Sequence, residues 1–388
     1  MRFILPFILY FIVVIDAFFI PYFKLAGVTY GVIILPFLLL VYAKKLHRAG
    51  VLSSVIAIFA IIFSFLSVYS FYSESQHYIG ALRNSGIIIY MILLATLIGN
   101  VRILKAVTIL NIFKSYIYFT SLLALLFIAS PSIYFQIRAF WTFSNNVIDF
   151  ETLNVLTRFT GNLSDPNNCA GIIIATLAFI IFRQPHKVMN NVTLIACSLL
   201  IVASTMSATG IICFLFTIIF FFLFVNFNKN MFMSFSKKFA LLLLFFIGLT
   251  YLWPIIRENE ILQLFLQRLE AATIDNRISR WDIIFDANKF FTSFFLGDGG
   301  EIIWNGRKYK PHNGHFHVFY NFGILAYGTF LIKFFPLSKK LNWKHYFFLV
   351  PIFLIFTVNV GIYEPRFAGI WALMIGTMNL ETLKKPGH

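Results

Sequence analysis

The chain has 388 residues, 60% of them hydrophobic and only 12% charged, with a formal net charge of +16. A soluble domain carries roughly a quarter charged residues, so this composition excludes a water-soluble globular protein and points to a chain dissolved in a bilayer. The surplus of Lys and Arg has no aromatic-interleaved basic stripe and no nucleic-acid motif behind it, so no nucleic-acid partner is expected.

Apolar runs recur along the whole sequence at lengths near the ~20 residues that a helix needs to cross a hydrocarbon core. They predict an all-α polytopic membrane protein of about 12 transmembrane helices, at residues 3–23, 25–43, 51–72, 84–99, 108–130, 168–182, 192–206, 209–226, 238–256, 314–334, 345–362 and 366–381, in one integral membrane domain covering 1–388. Basic residues collect in alternate connections: Lys44, Lys45 and Arg48; Arg102 and Lys105; Arg183 and Lys187; Lys229, Lys237 and Lys238; Lys339, Lys340 and Lys344. Both termini, with Arg2, Lys384 and Lys385, fall on that same side, which the positive-inside tendency makes cytoplasmic. The first segment lacks a small-x-small cleavage site and reads as a retained span. Cys169, Cys197 and Cys213 all lie in apolar helices, where packing is the expected role.

Two outward segments are longer than turns, at about 131–167 after the fifth span and 257–313 after the ninth. Long connections inside a compact protein usually carry function. The second holds eight basic and eight acidic residues, and its arginines, on the side where basic residues are disfavoured, need a local reason.

Three motifs in these segments resemble those of the bacterial O-antigen polymerases of the Wzy type and the related O-antigen ligases of the WaaL type. RFTGNLSDPNNCAG (158–171) is similar to their Arg-x-x-Gly followed by Pro-Asn at a helix entry, and NRISRWDIIFDANKFFTSFFLGDGG (276–300) to their Arg, amphipathic helix and Gly-x-Gly. His312 and Asn313, then nine residues, then Gly323 resemble their histidine motif. Together the motifs cover roughly 155–330, while the first 150 residues match only as generic spans. The turn STMSATG has Ala208 where the family usually has arginine, and the ligase form of the histidine motif would not place Ala326 where it stands, with Gly328 two residues on.

The resemblance implies a GT-C-like, metal-independent glycosyltransferase in the bacterial inner membrane, needing no cofactor and working on the periplasmic side. A glycan on undecaprenyl pyrophosphate would be transferred to a hydroxyl of a second lipid-linked repeat unit, with a flippase and a chain-length regulator as partners. Such a site must stabilise a departing diphosphate. Arginine suits this because its planar fork stays protonated and bonds two phosphate oxygens at once; Arg158 and Arg280 are the candidates, with Arg277 in reserve. The competing reading pairs these arginines with the loop carboxylates as solvated salt bridges.

The site must also orient or deprotonate a hydroxyl, and His312 could do so, since imidazole titrates near working pH. Asn313, Asn167 and His315 are candidate sugar contacts. A helix cap or interfacial position is the alternative for His312, and three histidines at this spacing are no tidy zinc set. Asp165 is either a further substrate contact or the N-cap of the following helix, and Asp298 suits a turn. Outward aromatics such as Trp141 and Trp304 suit sugar stacking or the headgroup belt. The ligase, transferring to lipid A core, is the first alternative function and a lipid-linked oligosaccharide flippase the more remote one. Against transport, Asp16 is nearly the only acid deep in an apolar run, and the two halves do not correspond.

Overall fold

A computed structural model describes residues 4–21, 29–46, 48–71, 78–101, 103–141, 158–163, 165–185, 188–224, 294–297, 302–304, 307–309, 313–334, 346–358 and 363–382, with isolated positions 240, 243 and 263. Among them the helices are α1 (Ile4–Asp16), α2 (Tyr30–Val41), α3 (Arg48–Phe71), α4 (Tyr78–Asn100), α5 (Ala106–Ala129), α6 (Pro131–Trp141), α7 (Pro166–Arg183), α8 (Val188–Thr205), α9 (Ala208–Phe224), α10 (Gly314–Phe334), α11 (Leu349–Val358) and α12 (Pro365–Thr382). One small hairpin, β1 (Ile302–Trp304) with β2 (Arg307–Tyr309), pairs antiparallel. The predicted ninth span, 238–256, lies outside the described residues except at isolated positions. Residues 131–141 form α6, a short amphipathic helix at the start of the expected fifth loop.

Three of the helices contain stretches long and apolar enough to cross a membrane, Leu82–Asn100, Ala106–Ala129 and Pro166–Arg183, and the chain is a helical membrane protein. A helix that is apolar all round belongs inside a bundle, and α7 obeys this, with every residue from Cys169 to Phe182 buried. It packs against α8, α9 and α11, while α12 runs along α4. Glycines set the close approaches of α12. A Cβ on Gly369 would stand 2.9 Å from Ala17 Cβ, and one on Gly376 2.5 Å from Ile98 Cβ. Small residues of this kind let helix backbones approach where lipid offers no hydrophobic driving force. On the periphery, Leu40, Phe59 and Leu122 point outward, as side chains facing lipid tails would.

Two departures from regular helix shape the end of the bundle that carries the sequence motifs. The first predicted span does not run through to residue 23: α1 stops at Asp16, after 13 residues, about 20 Å of helix at 1.5 Å per residue. The chain then turns through Ala17 to Ile20. The second departure is in α10, which breaks at Gly323 with φ 70° and ψ 179°, a conformation essentially reserved for glycine. The backbone of residues 295–297 crosses it there. A Cβ on Gly323 would collide with the Phe295 carbonyl, and one on Gly297, itself at φ +78°, would lie 2.5 Å from the Asn321 carbonyl. These two glycines, one from the Gly-x-Gly stretch and one from the histidine motif, make a direct backbone crossing.

Gly323→Ala and Gly297→Ala are therefore each expected to lose about 2 kcal/mol or more, since strain of ~1–3 kcal/mol adds to the collision. Gly328→Ala, whose Cβ would meet nothing within 4 Å, serves as the control. Thermal unfolding in detergent should show the first two variants lowered and the third unchanged or slightly raised.

Candidate functional site

The segment 158–165 is a platform pinned on every side. Arg158 donates from Nε to the Thr205 carbonyl at 2.8 Å and from Nη2 to Asn167 Oδ1 at 3.1 Å. The Phe159 N–H donates to the Ser204 carbonyl at 3.1 Å. Both carbonyls belong to the last turn of α8, whose final acceptors have no partner within the helix, and a guanidinium there also meets the negative end of the helix dipole. Asn167 Oδ1 accepts a second bond from the Ser207 hydroxyl at 2.7 Å, and Ser207 Oγ accepts from the Gly210 N–H at 3.1 Å, capping α9. One amide oxygen thus joins the start of α7, the start of α9 and Arg158.

The rest of the motif has equally local causes. Gly161 sits at φ +61°, and a Cβ there would be 2.9 Å from Cys169 Sγ, so the glycine is needed for both conformation and space. The Tyr134 hydroxyl of α6 accepts from Thr160 N–H at 3.2 Å and donates to the Gly161 carbonyl at 2.9 Å. Asp165 accepts from the Asn167 and Asn168 N–H groups at 2.7 and 3.1 Å, with Pro166 opening α7. Of its two readings from sequence, this is the helix cap. Ala208 opens α9.

A second group of residues completes this end of the bundle. The entry to α12 reads Tyr363-Glu364-Pro365-Arg366, with the helix beginning at Pro365. Arg366 is fully buried, donating from Nη1 to the Phe18 carbonyl at 3.1 Å and from Nη2 to the Ile20 carbonyl at 2.8 Å. The Phe18 carbonyl also accepts from Asn162 Nδ2 at 2.6 Å, and Asn162 Oδ1 in turn accepts from the Tyr116 hydroxyl at 3.0 Å. Trp141 Nε1 takes the remaining carbonyl, Phe19, at 2.7 Å. Asp16, also fully buried, accepts the Gly31 N–H at 2.6 Å and so caps α2 from outside that helix.

Toward α10, Tyr363 accepts from Asn321 Nδ2 at 2.9 Å and donates to the His317 carbonyl at 3.4 Å, with the His317 ring 4.7 Å away edge-on. Glu364 lies between these two arms. It stays partly accessible, but its Oε1 is enclosed and has no hydrogen-bond partner. Burial pushes its carboxyl up to about 7, against the opposing pull of the Arg366 cation and of the Arg366 backbone N–H. The signal for this group was available in sequence: a Glu and an Arg close together between two apolar runs.

The remaining predicted residues are distributed unevenly. Asn313 is buried and caps α10, accepting the Phe316 N–H at 2.9 Å. His315 faces α11: its Nε2 donates to the Phe353 carbonyl at 3.3 Å, so its Nδ1 accepts from the Tyr327 hydroxyl at 3.0 Å, and its ring lies 4.2 Å from that of Phe353. Arg158, Asp165 and Asn167 come together on the platform, whereas His315 points away from it. His312, Arg277, Arg280 and Asp298 lie outside the described residues. Among the described residues, no group of three His, Cys, Asp or Glu side chains could hold a metal ion. No protein-family model and no curated protein matches the chain's sequence.

Two measurements check this geometry. Asn167→Ala and Ser207→Ala should be non-additive in a double-mutant cycle read by thermal unfolding, with a coupling of about 1 kcal/mol. The fold also favours the neutral form of Glu364, so stability present at low pH should fall as pH rises from the ordinary 4.5 through about 7. Glu364→Gln should flatten the profile across that window.

Proposed function

We propose that this protein is a surface-polysaccharide polymerase of the O-antigen type: a metal-independent glycosyltransferase that moves a growing glycan from undecaprenyl pyrophosphate onto a hydroxyl of another lipid-linked repeat unit. The observation that carries the reading is a succession of hydrogen bonds joined by short stretches of main chain. Arg158 and Asn162 lie on one short segment, Asn162 and Arg366 share the Phe18 carbonyl, and Tyr363, three residues before Arg366, bonds to the first turns of α10. The residue after His312, Asn313, opens that same helix. The link between the Arg158 segment and the start of α10, far apart in sequence, supports this reading. Positive-inside charge makes this the periplasmic end of a bacterial inner-membrane protein with both termini in the cytoplasm.

In this reading the diphosphate leaves against the Arg158 and Arg280 guanidinium groups. Arg158 is held by the α8 turn and by Asn167, so it is set in position before substrate arrives, and such preorganised donors are worth on the order of 3 kcal/mol of barrier each. Arg158→Lys would keep the charge and lose the fork that spans Thr205 and Asn167. The flippase and the chain-length regulator act before and beside this step.

The test is removal of the gene followed by electrophoresis of the surface glycan. Core carrying a single repeat supports the polymerase. Bare core with polymer accumulating on the lipid carrier indicates the ligase instead, and intact ladders defeat both. Arg158→Ala and Arg280→Ala should each abolish the ladder while the protein stays in the membrane; normal ladders from both would remove these arginines from the chemistry.

A further inference from the structure

Among the described residues, Met206 is the one non-glycine residue with a positive φ, at 47°. It lies in the turn between α8 and α9. A left-handed backbone crowds a Cβ against the following carbonyl, so this position at a helix end usually goes to Gly or Asn. A residue held in such a conformation tends to mark a place where the surrounding structure is doing something specific.

Met206 stands between the two residues that fix the Arg158 fork. Before it, the Thr205 carbonyl accepts from Arg158 Nε at 2.8 Å. After it, the Ser207 hydroxyl donates at 2.7 Å to Asn167 Oδ1, which is the acceptor of Arg158 Nη2 at 3.1 Å. Both prongs of the fork are therefore set from the two sides of a single residue. The reversal of handedness makes this possible. The Met206 N–H closes the last turn of α8 on the Ala203 carbonyl at 3.0 Å, and Ser207 then starts the next helix, with its carbonyl accepting the Ile211 N–H at 2.9 Å and its Oγ the Gly210 N–H at 3.1 Å. Had Met206 stayed right-handed, α8 would run on, Thr205 would give its carbonyl to the helix, and Ser207 would lie inside a helix instead of at its cap. The surroundings leave the turn little room to move. The Ser204 carbonyl holds the Phe159 N–H at 3.1 Å, and a Cβ on Gly210 would stand 2.7 Å from Ala170 Cβ, so α9 is already seated against α7.

We propose that Met206 is a positioning residue for the leaving-group arginine, and that its left-handed backbone, rather than its side chain, aims Arg158. The inference rests on the polymerase reading given above. Met206 acts on the diphosphate only through Thr205, Ser207 and Asn167. What position 206 requires is tolerance of positive φ. Gly and Asn have it; Val is closer to Met in apolarity but is branched at Cβ and resists that conformation.

The experiment uses full-length protein in detergent or nanodiscs with the undecaprenyl-pyrophosphate-linked repeat that accumulates in cells lacking the gene. Met206→Gly and Met206→Asn should keep wild-type turnover, with a thermal midpoint that is unchanged or higher. Met206→Val should lose roughly 10- to 100-fold in turnover with little change in KM. Inhibition by inorganic pyrophosphate reads the arginine itself: half-inhibition of Met206→Val should need about tenfold more pyrophosphate, while the glycine variant matches wild type. A role confined to stability would leave that inhibition unmoved. If the valine variant fails to fold, Ser207→Ala, which frees one prong and keeps the turn, is read in the same way. A glycine variant that loses turnover places the requirement in the methionine side chain and overturns the assignment. So does a valine or Ser207→Ala variant with normal turnover or normal pyrophosphate inhibition, and in both cases the polymerase reading stands. Wild type that cannot lengthen the lipid-linked repeat overturns both.

Discussion

Everything at the motif end of this molecule depends on three carbonyl groups. Where α1 unwinds after Asp16, Phe18, Phe19 and Ile20 present peptide oxygens inside an apolar protein, where each unsatisfied group costs several kcal/mol. Side chains serve them instead of the next turn of helix. Asn162, Trp141 and Arg366 supply the bonds, from segments far apart in sequence. A short first helix is thus the reason why the platform, α6 and α12 converge on one place. Arg366 in particular can be fully buried only because its fork has two carbonyl partners and lies within electrostatic reach of Asp16 and Glu364.

The platform follows the same logic at a second helix end. The last turn of α8 leaves carbonyls that Arg158 and the Phe159 N–H complete, and the cap of α9 shares its hydroxyl with Asn167. In Arg158 the bonds that hold the guanidinium also decide where its charge is presented. For a reaction in which the protein's main contribution is fixed positive charge, rigid placement of that charge is the larger part of catalysis. Under the proposed polymerase reading, removing a brace should reduce the rate even where the arginine itself remains.

Much of this was legible in the sequence, and the parts that were not have physical reasons. Hydropathy located most of the helices because the bilayer imposes a length and a composition on each span. It overran at the first, because the run 3–23 stays apolar through a turn whose carbonyls are satisfied by remote side chains. Asp165-Pro166 announced a helix start, since capping is a local matter of one carboxylate and the next few N–H groups. The role of Asn167 as a hub was not legible, because it depends on Ser207, 40 residues away. His315 fell within a histidine cluster that suggested a shared task, but helical geometry turns it toward α11. The entry to α12 at 363–366 was not legible as part of a site, because its partners, the Phe18 and Ile20 carbonyls, lie across the bundle.

The crossing at Gly297 and Gly323 joins the end of the long second segment to α10 through main chain alone. Among the described residues no ionisable side chain takes part in that contact, so neither acidity nor ionic strength offers a handle for loosening it.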